Sequence, residues 1–132
     1  MNILKIFRRG QKGNAVIEMA LVLPLLLLVL FGITEFGRAV MTTNVLNTAA
    51  REGARVAAVS LLTDTLLVQN KVNSVLNAAN VTPKSITIQY FAANRSIQVR
   101  VTSDFTVLSN SVLQTFVGTY ELSGTVIMKY EL

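Results

Sequence analysis

The stretch KGNAVIEMALVLPLLLLVLFGIT, Lys12 to Thr34, decides how the rest of the chain is read. From Met19 to Thr34 run 16 residues without a charge. At ~1.5 Å per residue a helix of that length spans ~24 Å, short of a hydrocarbon core of ~30 Å. Counting back to Ala15 gives 20 residues and a helix of ~30 Å. That count takes in Glu18. A carboxylate at mid-bilayer costs about 2.5–3.5 kcal/mol on insertion scales, and less near a helix N-terminus, where the macrodipole favours an anion. The length of the span therefore requires Glu18, and electrostatics requires it to be neutralised or paired. Pro24 lies well inside the run; it lacks an N–H and crowds the carbonyl of Ala20, so a helix kink is expected there.

The flank of this segment sets its orientation. Lys5, Arg8, Arg9 and Lys12 precede it with no acid among them, and the remaining eight basic and seven acidic residues nearly cancel. The net charge of +5 is thus a local block. Such a block reads as a cytoplasmic flank rather than a nucleic-acid face, which needs dispersed basic residues. With 132 residues there is room for one domain. The chain has no cysteine and no histidine, which excludes disulfides, thiol nucleophiles, Cys-based zinc sites and His general bases. No cofactor or metal is implied.

Residues 35–60 carry the helical period onward without a proline. Phe36, Val40, Thr43, Leu46, Ala50, Ala54 and Ala57 recur at helical spacing, and Glu35 with Arg38 and Glu52 with Arg55 form i,i+3 pairs. One continuous helix is expected from about Asn14 to about Val59. A second helix follows within 61–82, capped by Thr63 or Asp64, with Val68, Val72, Val75, Leu76 and Ala79 as its apolar stripe and Asn80 and Pro83 at its end. Beyond residue 85 the period changes to two. Ile86, Ile88 and Tyr90 alternate with polar residues, as do Ile97, Val99 and Val101 after a turn at "AANR", and as do Tyr120, Leu122, Val126, Met128, Tyr130 and Leu132. Three antiparallel strands with one apolar face are expected. Leu108, Val112 and Phe116 suggest a short helix between the last two, stopped by Gly118.

Three groups of residues are candidates for chemistry. The first is Gly13-Asn14 with Glu18 five residues after the glycine. This spacing favours a processed leader over a plain signal anchor; a Sec-type signal peptide fits poorly, because an acid precedes the apolar run and no A-x-A site follows it. The second is AAREGAR, in which Ala49, Gly53 and Ala57 form a small-residue stripe and Arg51 and Arg55 carry charge on the helix. Small stripes admit a close backbone neighbour, either the chain's own sheet or another subunit; the contact within one chain is favoured. The third is acid–base catalysis by the scattered carboxylates. No pair stands at a suggestive spacing, so solvated surface charge is the better reading. The sequons at Asn80 and Asn94 are short enough to arise by chance.

The residues KGNAVIE followed by MALVLPLLLLVLFG resemble the leader of type IV pilins and pseudopilins. More specifically, GNAVIEMALVLPLLLLVLFGITEFGRAV followed by LNTAAREGARVAAVS resembles the TadE-like family of tight-adherence pilus systems, and LSGTVIMKYE is similar to the family's closing strand. The resemblance implies that a prepilin peptidase cuts between Gly13 and Asn14. It implies further that Glu18 pairs with the amine so created, during subunit assembly. The partners implied are the membrane, the prepilin peptidase, other pilin or pseudopilin subunits and the pilus assembly machinery, with no nucleic acid.

The expected architecture is α+β: a basic leader over 1–13, the transmembrane part of a long helix over 14–34, and an extracytoplasmic domain over 35–132. The expected location is a bacterial inner membrane, crossed once with the N-terminus cytoplasmic. The expected role is structural, a minor pilin or pseudopilin in assembly or initiation of the pilus. The length favours a minor subunit over the much smaller major pilins of such systems. A pseudopilin of a type II secretion system is one alternative, and an unprocessed signal-anchored binding module is another.

Overall fold

The computed structural model describes residues 10–60, 64–107 and 118–130. Helix α1 spans Gly10–Val59 and helix α2 spans Thr65–Ala78. Strands β1 (Ser85–Phe91), β2 (Ser96–Thr106) and β3 (Thr119–Lys129) follow. The protein is α+β, with the long apolar helix, the second helix and the antiparallel sheet that the sequence periods imply. Thr63, Leu132 and the short helix expected at Leu108, Val112 and Phe116 lie outside the described residues. The chain divides into two units, Met1–Phe36 and Gly37–Leu132.

In the first unit α1 is helical without a break through Pro24. It is already helical at Gly10, four residues before the expected start at Asn14. Its apolar residues are uncovered: Leu21 is 75% exposed and Phe31 63%. The Thr34 hydroxyl donates to the Leu30 carbonyl at 3.0 Å, so this polar group is satisfied without water. The helix is long and apolar enough to cross a membrane, with a mean hydropathy of 2.7 in its best window.

The second unit is a two-layer arrangement. The strands form a meander in the order β1-β2-β3. Ile86 stands opposite Val101 and Ile88 opposite Val99, while Val99 in turn faces Val126 and Ile97 faces Met128. The inward residues of the central strand, Ile97, Val99 and Val101, are fully buried against Leu46, Ala49, Ala50 and Ala54 of α1 and against Val68, Val72 and Leu76 of α2. Fully burying one such valine or leucine stabilises the fold by about 1.5–3 kcal/mol. The α1 stripe is half used: from Leu46 onward it is core, whereas Phe36 and Val40 are exposed. Glu52 and Arg55 form no ion pair among the described residues, in contrast to the expected i,i+3 contact; Arg55 is turned to solvent.

Helix α2 ends in a Schellman motif. The Asn80 N–H donates to the Asn77 carbonyl at 3.1 Å and the Val81 N–H to the Leu76 carbonyl at 2.9 Å. Asn80 takes the left-handed conformation this requires, at φ 54°, and Val81 packs on the core beside Leu76. Ala79, expected on the apolar stripe, is instead the exposed C-cap residue. At the other end Asp64 occupies the N-cap position, but its side chain makes no capping bond.

β2 runs four residues beyond the stretch expected from alternation, because Ser103 and Phe105 continue its inward face. The Ser103 hydroxyl is accommodated by donating to the Thr82 carbonyl at 2.7 Å. Near this end Asp104 and Glu121 stand directly opposite each other, a destabilising placement of like charges. Lys84 offsets it, with its ammonium 2.9 Å from Asp104 Oδ1 and 3.0 Å from Glu121 Oε2. The hydrogen bond to Asp104, then that to Glu121, raises the Lys84 pKa above its ordinary 10.5. A raised lysine contributes stability that is complete below the unfolded value and lost as pH rises through the folded one. The expected result is a small gap in urea midpoint between wild type and Lys84→Gln that is constant from pH 7 to 9 and closes above pH 10.5. A gap that persists unchanged at higher pH would show that the ammonium is not its source.

Candidate functional site

The candidate residues near the N-terminus share one helix. Gly13 and Asn14 lie within α1, and among the described residues a Cβ at Gly13 would meet nothing within 4 Å outside its own stretch of helix. Glu18 follows Asn14 by four residues, so the two occupy the same face one turn apart, with about 5–6 Å between Cβ positions. Helical side chains lean toward the N-terminus, which directs the Glu18 carboxylate back over Asn14. Both residues are exposed, and Glu18 has no hydrogen-bond or ion-pair partner among the described residues. The same face continues through Leu21, Val22 and Leu25, all exposed. The result is an apolar surface without a covering, interrupted by one carboxylate near its start.

Pro24 stands six residues beyond Glu18. Its lack of an N–H leaves the Ala20 carbonyl without the usual i→i−4 donor. The helix accommodates this within an otherwise unbroken run.

The AAREGAR residues are placed differently. Ala49, Gly53 and Ala57 are buried. A Cβ at Gly53 would lie 2.5 Å from Val72 Cγ2, 3.4 Å from Val99 Cγ1 and 3.5 Å from Val68 Cγ1. The stripe is therefore occupied by α2 and β2 of the same chain. Arg51 and Arg55 are exposed; Arg55 borders a shallow surface depression with Glu52, Val56 and Lys71. Upstream, Arg38 sits over the Phe105 ring, 5.1 Å from its centroid, a cation–π contact that fastens the far end of β2 to α1.

Two features are absent from the sequence reading. One is Gly124, at which β3 crosses the backbone of α1; the only sequence signal is a glycine where an inward apolar residue is due. The other is the open groove of about 510 Å³ between α1 and α2, lined by Val40, Met41, Val45 and Val75 among others. Among the described residues no group of three or more His, Cys, Asp or Glu side chains converges.

The family model for TadE-like protein matches residues 13–55. The matched segment contains Gly13, Asn14, Glu18 and Pro24, as well as Ala49, Arg51, Gly53 and Arg55; α2 and the three strands lie outside it. No curated protein and no solved structure matches the chain.

Proposed function

We infer from the TadE-like match over residues 13–55 that the chain is a pilin-like protein associated with a tight-adherence pilus, and that it acts as a minor pilin or pseudopilin in assembly or initiation of that pilus. Apart from the family match, one observation carries this reading: a lone carboxylate, Glu18, leans over Asn14 at the start of an uncovered apolar helix. Hydrolysis of the Gly13–Asn14 bond by a prepilin peptidase leaves a carboxylate on Gly13 and an amine on Asn14. That amine is cationic and stands one helical turn from Glu18. In low dielectric an unpaired charge is costly and a paired one much less so. The amine of the same chain or that of a neighbouring subunit satisfies Glu18 equally well by charge.

The basic residues before Gly13 favour a cytoplasmic N-terminus, which carries the sheet and α2 to the outer side of the inner membrane. The role is structural, and its partners are the peptidase, other pilin subunits and the assembly machinery. Mass spectrometry of the chain purified from membranes that contain a prepilin peptidase tests the reading. The expected mature form begins at Asn14, and Gly13→Leu is expected to retain residues 1–13. An intact Met1 in the wild-type chain would instead support an unprocessed, signal-anchored module.

A further inference from the structure

We propose that the outer face of the sheet binds a hexuronic acid residue of an acidic polysaccharide, with Arg100 holding its carboxylate. The sheet turns Ile97, Val99 and Val101 into the core, so the alternate residues of β2, Gln98, Arg100, Thr102 and Asp104, point to the opposite face. Register sets them in rows across the strands. Thr87 stands opposite Arg100, which faces Thr125, and Gln89 stands opposite Gln98, which faces Ile127. One end of this face satisfies itself: the Ser85 and Thr102 hydroxyls are 2.7 Å apart, and Lys84 holds Asp104 and Glu121. The middle does not. Gln89 and Gln98 are directly opposite yet share no hydrogen bond, and Thr87, Arg100 and Thr125 have no side-chain partner among the described residues.

Charge and shape say what this middle row takes. Among the described residues the acids of the face are Asp104 and Glu121, both held by Lys84. Asp104 lies four residues from Arg100 along β2, about 13 Å away, so the Arg100 charge is uncompensated. Thr87, Gln89, Gln98 and Arg100 line a depression of about 200 Å³. That is below the ~300–1,000 Å³ of sites for drug-sized ligands and suits a single sugar ring. A guanidinium grips a carboxylate with two parallel hydrogen bonds. The two amides and the Thr87 hydroxyl both donate and accept, as sugar hydroxyls do; a bare carboxylate only accepts and would leave the amide oxygens without donors. Ile127, 63% exposed beside Gln98, offers an apolar surface to the C–H face of the ring. A polymer is favoured over a lone sugar because its charges recur. Lys129 supplies a second cation on this face, four residues along β3 from Thr125, about 13 Å away.

The test uses the full chain in mild detergent. NMR signals of the Gln89 and Gln98 side-chain amides and the Arg100 guanidinium are followed during titration with a galacturonate trimer. Galacturonate, a neutral glucose trimer and a glutamate tripeptide are titrated in parallel. The galacturonate trimer is expected to give saturable shifts with a millimolar or lower Kd, and the single sugar to bind more weakly. The neutral trimer and the tripeptide are expected to bind about tenfold more weakly or worse. Arg100→Gln is expected to weaken binding of the galacturonate trimer about tenfold to a hundredfold, and Arg100→Lys, which keeps the charge without the fork, to weaken it less. Arg51→Gln, at an exposed arginine of α1, is expected to leave it unchanged. Arg100 is itself exposed, so its variants are expected to keep the wild-type backbone spectrum. Three results would overturn the inference: no saturable shift with the galacturonate trimer, equal binding of the tripeptide, which would make an acidic peptide the occupant, or equal weakening by Arg51→Gln, which would reduce the contact to diffuse charge. None of them bears on processing at Gly13.

Discussion

A Gly124→Val chain is expected to melt at least ~12 °C below wild type. At this position β3 passes against the backbone of α1. A Cβ there would lie 2.5 Å from the Asn47 nitrogen and 2.7 Å from the Leu46 oxygen, and would also press on the Leu46 carbonyl carbon. All three are main-chain atoms inside a helix, and none can rotate away. Overpacking of a core typically costs about 1–3 kcal/mol. Here relief requires lifting α1 from the sheet, which loosens Leu46, Ala49 and Ala50 at once, so a loss of about 3 kcal/mol or more is expected. For a unit of this size each kcal/mol lowers the midpoint by about 4–8 °C. Gly53→Ala is the internal control, since the closest atom it meets is the methyl Cγ2 of Val72, which a rotamer change can move. Circular dichroism of the full chain in mild detergent reads both. If Gly124→Val melts within a few degrees of wild type, or below it by no more than Gly53→Ala does, the crossing of β3 over α1 is not the constraint described.

The second large effect is functional. Glu18→Ala is expected to enter the membrane and lose residues 1–13 normally, yet to be missing from sheared pilus fibres. After processing, the Asn14 amine places a full positive charge where the helix dipole is already positive. Removing one partner of a buried ion pair costs about 3–5 kcal/mol, which corresponds to a factor of roughly 10²–10⁴ in an association constant. The loss should fall on assembly, because in the membrane-bound monomer the amine sits near headgroups and water, whereas packing into a fibre withdraws it from both. Immunoblots of the fibre and membrane fractions, taken with the mass of the mature chain, separate the two steps. Fibres carrying Glu18→Ala at the wild-type level would end the pairing role.

The period of the apolar residues carried most of the architecture. Val68, Val72 and Leu76 at helical spacing, and Ile97, Val99 and Val101 in alternation, are all fully buried. The candidate site was legible for a related reason: Gly13, Asn14 and Glu18 are close in sequence, and helix geometry alone sets their proximity. What escaped was set by contacts between distant segments. Gly124 looks like a fault in the β3 alternation until α1 is laid over it. Ser103 breaks the apolar face of β2, and its inward position makes sense only with the Thr82 carbonyl as acceptor. Lys84 is an unremarked loop residue whose partners come from two other strands. The helix is already formed at Gly10, whereas the glycines at 10 and 13 read in the sequence as punctuation; a helix long enough to span a bilayer can carry such weak residues.

Among the described residues the buried hydrophobic core lies between Leu46 and Tyr130, and the large apolar side chains from Val16 to Phe36 are exposed. The two halves therefore answer to separate tests of fitness. A substitution at Leu26 is judged by the medium around it, and any greasy side chain of similar length will pass. A substitution at Leu46 is judged by the shape of its neighbours, and few will. Descendants of this chain can thus exchange lipid-facing residues freely while the packed end keeps its pattern, or acquire a different packed end on an unchanged stem.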